Sequence, residues 1–391
     1  MGTKRVDVAI IGGAVMGSSV AFHLAAHSGF SGSIAVIEKD PSYQKCASAL
    51  SAASIRHQFS APINIQISQM GIDFLRNIGD ILEVDGERPR IDLNEGGYLF
   101  LATPEKREIL ERNHKTQIEL EADIAFLERD ALSEKFPWLN TTDLSAGCHG
   151  LSGEGWFDGY GLMQAFRRKA RALGVDYMSD TVSGLRPKAA NWQLTLNSGS
   201  TIEAGVVVNT AGASGGAAIC SMVGLDLPIH CRKRIIFTFD CREKVPNLPL
   251  LIDPTGAYVR PEGNRFICGS APLEDPDCED FEVDHSFFEE FLWPTLAHRI
   301  PAFGAIKPGP SWAGHYDMNL FDHNAFVGPV SGLDNFHLAL GFSGHGLQQS
   351  PAVGRGIAEQ IIFRGYRTLD LSPLGLDRFY QNRPLHEVNV V

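Results

Sequence analysis

The chain has 391 residues, of which 44% are hydrophobic and 20% are charged, a composition typical of a soluble globular protein with room for two domains. Its formal net charge of −12 argues against nucleic acid as a partner, because phosphate binding needs a basic face. Seven scattered cysteines without a C-x-x-C pair predict reduced thiols in a cytoplasmic protein and no structural metal, and no apolar run predicts a membrane span.

The first predicted elements are a strand, a glycine turn, a helix and a second strand. An apolar strand over residues 6–11 leads into the turn 12–17, a helix follows over about 14–27, and a parallel strand covers 33–38. The same start could be a signal peptide, but charged and histidine residues interrupt its apolar run.

This turn has the residues of a dinucleotide site. Gly12 permits a tight turn and Gly17 permits close packing of helix on strand, while Ala14 replaces the middle glycine of the G-x-G-x-x-G pattern. One methyl group there is a small obstacle. The helix N-terminus offers unpaired N–H groups to a pyrophosphate, and Glu38 can accept hydrogen bonds from both ribose hydroxyls. The segment therefore predicts a site for the ADP half of a dinucleotide.

The middle of the chain interrupts this pattern and then returns to it. Helical periods are predicted over 62–82, 105–121 and 160–173, and within the segment 91–101 a strand is predicted over 98–101, after the glycine turn at 96–97. A buried strand over 206–213 ends in a glycine turn, as strands beside nucleotide crevices do.

The last third predicts short antiparallel strands and then a second strand–loop–helix unit. The strands are predicted over 235–239, 257–260 and 266–269, and a helix over 287–296 contains Pro294, which sets a kink or an end. The final unit is a strand over 336–340, a glycine loop over 341–346 and a helix to about 363.

These elements predict an α/β fold, α+β overall, with a discontinuous Rossmann-like dinucleotide-binding domain and a substrate domain that has a mixed, largely antiparallel sheet. The predicted cofactor domain comprises residues 1–82, 146–226 and 304–391. The predicted substrate domain comprises 83–145 and 227–303.

The chain resembles the FAD-dependent amine and amino-acid oxidoreductases of the D-amino-acid oxidase, glycine oxidase and sarcosine oxidase family over essentially its whole length. The resemblance rests on the turn with Glu38, on residues 48–59 and 206–213, and on the C-terminal run Gly-Phe-Ser-Gly-His-Gly-Leu at 341–347. The last run separates the chain from NAD-dependent Rossmann enzymes. The flavin-binding cysteine of sarcosine oxidase corresponds to about Gly314, so the resemblance implies non-covalent FAD.

The resemblance and the phosphate turn together imply a set of FAD contacts. A glycine-rich turn near residue 344 can place backbone N–H groups against the flavin pyrimidine ring, where negative charge gathers on reduction. The implied set is Gly12, Gly13, Ala14, Val15, Met16, Gly17, Glu38, Lys39, Ser48, Ser51, Ala52, Val182, Ala211, Gly212, Gly341, Ser343, Gly344, His345, Gly346, Leu347 and Gln348.

The resemblance also implies groups that recognise a substrate carboxylate. Arg56 matches the sarcosine oxidase residue that holds it, and a guanidinium fork fits a carboxylate; an arginine at a domain interface is the alternative. Tyr258 and Arg260 lie on a strand that the family places beside the flavin, with a surface ion pair as the alternative for Arg260. Gln348 replaces a carboxylate-binding lysine, which suggests a different or larger acid.

The implied reaction is oxidation of the C–N bond of an amino acid or N-alkyl amino acid. Hydride transfer from a neutral amine to flavin N5 gives an imine that water hydrolyses, and it needs no strong protein acid or base. No catalytic residue is therefore assigned. His57 and His345 are possible proton carriers, with structural hydrogen bonding as the alternative.

The electron acceptor is a quinone, a carrier protein or oxygen. Sarcosine oxidase has a lysine that promotes reaction with oxygen, and Ile267 and Cys268 lie near its position here, which favours a dehydrogenase. Two alternatives remain. One is a 2-hydroxy acid dehydrogenase on the same fold. The other is a flavoprotein assembly or scaffold factor, because residues 54–60 also resemble a mitochondrial FAD-oxidoreductase-domain protein linked to respiratory complex I assembly.

Overall fold

A computed structural model describes residues 2–389, which form two eight-stranded sheets and one two-stranded ribbon. The strands are β1 (Thr3–Ile11), β2 (Ile34–Glu38), β3 (Ser54–Ile55), β4 (Tyr98–Ala102), β5 (Ile124–Glu128), β6 (Ala146–Gly150), β7 (Gly155–Trp156), β8 (Asp176–Ser179), β9 (Val182–Lys188), β10 (Asn191–Leu196), β11 (Thr201–Asn209), β12 (Ile229–Cys241), β13 (Leu250–Ile252), β14 (Tyr258–Glu262), β15 (Arg265–Gly269), β16 (Ile306–Asn319), β17 (Phe326–Val330) and β18 (Leu333–Leu340).

Helices alternate with these strands along the chain. The α-helices are α1 (Val15–Ala25), α2 (Ala47–Leu50), α3 (Pro62–Arg76), α4 (Ile78–Ile81), α5 (Arg107–Glu119), α6 (Arg129–Lys135), α7 (Gly159–Ala172), α8 (Gly216–Met222), α9 (His285–Phe287), α10 (Trp293–Arg299), α11 (Gly346–Phe363) and α12 (Asp377–Tyr380). Short 3-10 turns cover Pro104–Lys106, Pro301–Gly304 and Ser372–Leu374, and a π-helical turn covers Phe288–Leu292.

The first sheet is the Rossmann-like one. Its order is β17-β18-β11-β1-β2-β8, with the β9–β10 hairpin attached to β11. The strands from β18 to β8 run parallel, and β17 is antiparallel at the edge. Helix α1 packs on α7 and α11, and α11 packs on α3, so the buried side chains of these helices cover one face of the sheet. The predicted strand–turn–helix–strand unit at the chain start is present.

The turn between β1 and α1 is unusually close-packed. Gly12 has φ +96°, and a Cβ at Gly17 would lie 1.9 Å from the Gly12 carbonyl oxygen. The Thr210 hydroxyl donates to the carbonyl oxygens of Ile11 at 2.9 Å and Gly12 at 2.8 Å. The two glycines therefore allow α1 to start directly on the ends of β1 and β11, as the sequence predicts.

The second sheet has the order β16-β12-β15-β14-β13-β4-β6-β5. Every neighbouring pair is antiparallel except β13 and β4, which run parallel. A cluster of buried apolar side chains lies between this sheet and the helical segment 285–304. The predicted fold class, with a mixed and largely antiparallel second sheet, is confirmed.

One strand is much longer than its apolar pattern predicts. The predicted strand 235–239 is the end of β12, which starts at Ile229. The missed part contains Arg232, Lys233 and Arg234, whose charges hide the strand pattern. An acidic loop after β15 neutralises them, because Lys233 pairs with Asp280 and Arg234 with Asp275, both at 2.7 Å.

The predicted helix with Pro294 continues through the proline. Helical structure extends from His285 to Arg299, and the π-helical turn lies immediately before α10, in which Pro294 occupies the first turn. Proline has no N–H and its ring crowds the preceding turn, which a wider π-helical turn accommodates.

Two strands lie on the other side of the predicted domain boundaries. β6 and β16 pair within the second sheet, whereas residues 146–226 and 304–391 were assigned to the cofactor domain from the sequence. The division of the chain into domains stays a prediction.

We expect Gly17→Ala to destabilise the protein. The added Cβ would lie 1.9 Å from the Gly12 carbonyl oxygen and 2.7 Å from the Thr210 hydroxyl, so the turn must shift. The free energy of unfolding, measured in urea, should fall by about 3 kcal/mol. Gly79→Ala is the matched control, because its Cβ would have no neighbour closer than 3.7 Å and should change stability by less than about 1 kcal/mol. Equal losses in both variants would contradict this account.

Candidate active site

The carboxyl ends of four parallel strands meet at one edge of the first sheet. Ile11 is in register with Ile37 on one side and with Asn209 on the other, and Asn209 is in register with Leu338. The segments that follow these strands are the glycine turn, the Glu38 turn, the Thr210 turn and the loop at 341–346. Ligands of open α/β sheets bind at such an edge, so the topology brings the predicted cofactor segments together.

The start of α1 is prepared for an anion. No side chain caps this helix at its N-cap residue Ala14, and the Val15 N–H donates to the Ser48 hydroxyl at 3.3 Å. The Glu38 carboxylate accepts hydrogen bonds from the N–H groups of Gly13 at 2.7 Å and Asp40 at 2.8 Å. These bonds fix Glu38 at the mouth of the turn.

The remaining predicted residues of the nucleotide half lie around this turn. Lys39 reaches across to the Ser214 carbonyl at 2.8 Å, and Ser51 accepts from the Ala53 N–H at 3.0 Å. The others are either buried or part of a turn: Val15, Met16 and Ser48 are buried, Val182 belongs to the same buried cluster as Ile11 and Ile37, and Ala211 and Gly212 follow β11.

The C-terminal loop has three residues in the left-handed region. These are Gly341 (φ +80°), Ser343 (φ +51°) and Gly344 (φ +91°). Asp317 on β16 holds the loop, because its carboxylate accepts from the Gly341 N–H at 2.7 Å and its backbone carbonyl accepts from the Ser343 N–H at 3.1 Å. Burial raises the pKa of Asp317 to about 6. Helix α11 begins at Gly346 without a side-chain cap.

Arg56 lies beside this loop and is buried. Its guanidinium donates to the Gln58 carbonyl at 2.9 Å and to the Asn389 carbonyl, and it lies 3.0 Å from His345 Nε2. The Phe59 ring is 4.3 Å away. Burial lowers the pKa of Arg56 from its usual range. The structure therefore brings Arg56 and His345 together, although they are 289 residues apart in the chain.

Arg56 differs from the other buried arginines. Arg260, Arg299 and Arg378 each pair with a carboxylate, from Glu262, Asp253 and Asp322 respectively. Within residues 2–389, no carboxylate lies within 4.0 Å of the Arg56 guanidinium, whose partners are all neutral groups. A buried guanidinium without a carboxylate suits an anionic ligand, since burying an uncompensated charge is costly.

Gln348 supports the backbone at Arg56. Its side-chain oxygen accepts from the Arg56 N–H at 2.9 Å and from the Ser68 hydroxyl at 3.5 Å. Gln348 is buried in the first turn of α11, and Arg56 is buried directly after β3. Gln348 thus positions the arginine, and Leu347 beside it is buried as well.

Arg260 and Tyr258 lie two residues apart on β14, where Arg260 is buried and Tyr258 packs partly buried in a cluster with Tyr98. Arg260 donates to the Ala52 carbonyl at 2.7 Å, pairs with Glu262 and lies 5.3 Å from the Trp156 ring. Burial lowers the pKa of Arg260 and raises that of Tyr258. Arg260 thus has an ion pair, as in the alternative that the sequence left open, but its guanidinium is buried and does not lie at the surface.

The two predicted histidines have different surroundings. His345 contacts Arg56 and the Phe59 ring edge, and burial lowers its pKa well below the usual range. His57 is buried with neither ring nitrogen hydrogen-bonded within the described chain, and burial lowers its pKa to about 4. Both imidazoles are therefore neutral near pH 7.

Comparison with known proteins decides the family. The profile of the family DAO, FAD dependent oxidoreductase, matches residues 7–360. The chain belongs to the DAO family of FAD-dependent oxidoreductases. Its cofactor is FAD and it is an oxidoreductase, as the sequence predicts.

Individual relatives cover nearly the whole chain. FAD-dependent oxidoreductase domain-containing protein 1 of Xenopus laevis is 42% identical, over 99% of this chain and 85% of that protein. Glycine oxidase of Geobacillus kaustophilus is 26% identical, over 96% of this chain and 98% of that protein. The solved structure of L-proline dehydrogenase from P. horikoshii has the same fold, with a TM-score of 0.85 and 23% identity over 98% of this chain and 100% of that one.

The edge of the first sheet fits the FAD of a DAO-family protein. The glycines at 12 and 17 let α1 begin against the ends of β1 and β11, and the start of this helix, which has no cap from its N-cap residue, suits a diphosphate. No helix within residues 2–389 is both long and apolar enough to cross a bilayer.

Glu154 supports the candidate site of this DAO-family chain, and the sequence analysis missed it. It is fully buried, and one of its oxygens accepts from the N–H groups of His57 at 2.6 Å and Gln58 at 3.1 Å, while the other accepts from the Gln58 amide at 2.8 Å. It holds the segment that carries Arg56. A lone carboxylate between two glycines, Gly153 and Gly155, was the available signal.

The Glu154 carboxyl should give stability a distinctive pH dependence. Burial raises its pKa from 4.5 to about 7, so between these values the native protein retains a proton that the unfolded chain has released. The resulting stabilisation is fully present below pH ~4.5 and is lost as the pH rises through about 7, a change of about 3 kcal/mol.

Glu154→Gln should remove this part of the pH dependence. Gln58 can rotate its amide to accept from the amide introduced at this position, since its side-chain oxygen has no partner within the described chain. The measurement is urea unfolding from pH 4.5 to 8, with the exposed Glu108→Gln as the matched control. A variant that keeps the wild-type slope would show that Glu154 does not titrate in this range.

Proposed function

We propose that this FAD-dependent oxidoreductase oxidises the C–N bond of an amino acid or N-alkyl amino acid to an imine, which water then hydrolyses. The names of two similar proteins, glycine oxidase and L-proline dehydrogenase, support an amino acid as the substrate class. The observation that carries the proposal is Arg56, the buried guanidinium with neutral partners beside the glycine loop.

FAD would be held at the sheet edge by the predicted contact set. The turn at 12–17 and the start of α1 would face the diphosphate, Glu38 the ribose, and the loop at 341–347 the flavin. Bound FAD supplies the acceptor for a hydride. We propose non-covalent binding, because Gly314 offers no side chain for a covalent bond.

Arg56 would anchor the substrate carboxylate. Gln348 and Glu154 fix the backbone that carries it, and the guanidinium can donate two parallel hydrogen bonds to a carboxylate once its neutral partners are exchanged. Burial lowers the pKa of His345 beside it, so the neutral imidazole adds no positive charge and Arg56 supplies the attraction for a carboxylate. Anchoring and orientation are the contributions that hydride transfer from a neutral amine requires of the protein.

The decisive experiment is flavin reduction without oxygen. Purified protein should be yellow, and D-, L- and N-methyl amino acids should be tested for bleaching of the flavin absorbance. Hydroxy acids belong in the same panel, because Arg56 would hold their carboxylate equally well. Bleaching by hydroxy acids alone would identify a 2-hydroxy acid dehydrogenase, and bleaching by neither class would overturn the proposal.

Arg56→Lys should weaken substrate binding. A lysine retains the charge but loses the two-pronged hydrogen bonding, so we expect KM for the best amino acid to rise about 30-fold, equivalent to about 2 kcal/mol. The control is the corresponding amine without a carboxylate, whose weak reduction of the flavin should be unchanged. Equal effects on both compounds would mean that Arg56 acts on the flavin or the fold instead.

We further propose that the enzyme is a dehydrogenase. Ile267 and Cys268 are buried on β15 with 2% and 0% exposure, near the position where the resemblance places an oxygen-activating lysine. After anaerobic reduction by substrate, the flavin should be reoxidised by a soluble quinone at least ~10-fold faster than by dissolved oxygen, as expected where no charge stabilises reduced oxygen. Faster reoxidation by oxygen would favour an oxidase.

A further inference from the structure

The C-terminal segment 385–389, here called the strap, passes over the candidate carboxylate position. The Asn389 carbonyl accepts a hydrogen bond from Arg56 Nη2, and the Asn389 side-chain amide donates to the Gln58 carbonyl at 3.0 Å. The Asn389 side-chain oxygen also accepts from Asn113 on α5 at 3.3 Å. The strap therefore places a neutral oxygen on the guanidinium that the proposed function assigns to the substrate.

Glu387 fastens the strap to the start of α3. It is 2% exposed, and one carboxylate oxygen accepts from the Ser60 N–H at 2.9 Å and the Ser60 hydroxyl at 2.8 Å. The other accepts from the Ala61 N–H and the Asn64 amide, both at 3.1 Å. Helix α3 has no side-chain cap from its own N-cap residue Ala61, and this distant carboxylate instead binds the N–H groups of the two residues that precede the helix.

The other end of the strap is fixed to a buried ion pair. Asp322 accepts two hydrogen bonds from Arg378, at 2.7 and 3.0 Å, and one from the Leu385 N–H at 3.0 Å. The Glu387 N–H donates to the Asp322 carbonyl at 3.1 Å. Leu385 and Glu387 are thus both held, and the Asn389 N–H donates to the Glu387 carboxylate at 3.0 Å, which ties Asn389 to the same anchor.

We propose that the strap is a built-in competitor for Arg56, which an incoming carboxylate displaces and which Glu387 latches in place. This inference rests on the proposed carboxylate-binding role of Arg56. A carboxylate makes shorter and stronger hydrogen bonds to a guanidinium than a peptide carbonyl does, so it can replace the Asn389 oxygen. Acids with weak additional contacts would bind less tightly than they would to a free Arg56, which makes the strap a determinant of specificity.

Competition of this kind makes the apparent Kd of a carboxylate equal to its intrinsic Kd divided by the fraction of molecules in which Arg56 is accessible. The probe is acetate, which carries a carboxylate and cannot be oxidised at a C–N bond. It is titrated into FAD-loaded protein against chloride at constant ionic strength, and binding is followed by the change in flavin absorbance. Turnover is not needed, so the result does not depend on the substrate.

Weakening the latch should tighten acetate binding. We expect the acetate Kd to fall about tenfold in Glu387→Gln, because the side-chain NH2 group of the glutamine would face the N–H donor of either Ser60 or Ala61. In Asn389→Ala we expect the acetate Kd to fall about threefold. Val388→Ala is the matched control, because this side chain is 52% exposed and its backbone bond to Ser60 is retained. If Glu387→Gln fails to fold, Asn389→Ala still tests the proposal.

Hydrogen exchange gives an independent readout. The N–H groups of Val388 and Asn389 are bonded at 3.0 Å, to Ser60 and Glu387 respectively, and acetate should speed their exchange in wild type but not in Arg56→Lys. Unchanged exchange, or weaker acetate binding in the latch variants, would overturn the strap proposal even if amino acids reduce the flavin. Faster hydrogen exchange with acetate, together with no reduction of the flavin by amino acids, would support the strap proposal and overturn the proposed substrate class.

Discussion

The close approach of α1 to the ends of β1 and β11 is the constraint on which the rest of the site depends. A single hydroxyl, that of Thr210, bonds to the carbonyls of Ile11 and Gly12, and the helix can start there only because Gly17 has no side chain. This contact directs the uncapped N–H groups of α1 toward the sheet edge. The parallel pairing of β11 with β18 brings the loop at 341–346, which contains His345, to the same edge, where we propose that FAD binds.

Buried charge is handled in two ways in this chain. Arg299 and Arg378 bond to buried or nearly buried carboxylates, which compensate their charges and fix local structure. Arg56 has aromatic rings, two carbonyls and a neutral imidazole around it instead. Arg299 and Arg378 therefore stabilise the fold, whereas the charge of Arg56 can be balanced by an anionic ligand. The sequence shows no difference between these arginines.

The sequence was sufficient where structure is decided locally. The turn from β1 to α1, the end of β2 at Glu38 and the unit from β18 to α11 follow from glycine positions and apolar periodicity within about 30 residues. Partners from distant parts of the chain could not be predicted in this way. Glu154 meets His57 across 97 residues, and Glu387 meets Ser60 across 327, and nothing in either local pattern points to the other. β12 was predicted too short because its basic half is balanced by a loop some 40 residues later.

The order of strands in the two sheets has a consequence for cooperativity. The chain leaves the first sheet after β2, returns at β8, leaves again after β11 and returns at β17, so neither sheet is a contiguous piece of polypeptide. If one sheet unfolded alone, the strands of the other would be joined by several long unfolded segments. This favours a single global unfolding transition. Occupancy at the sheet edge then stabilises every strand of the molecule, including those of the second sheet that no ligand touches.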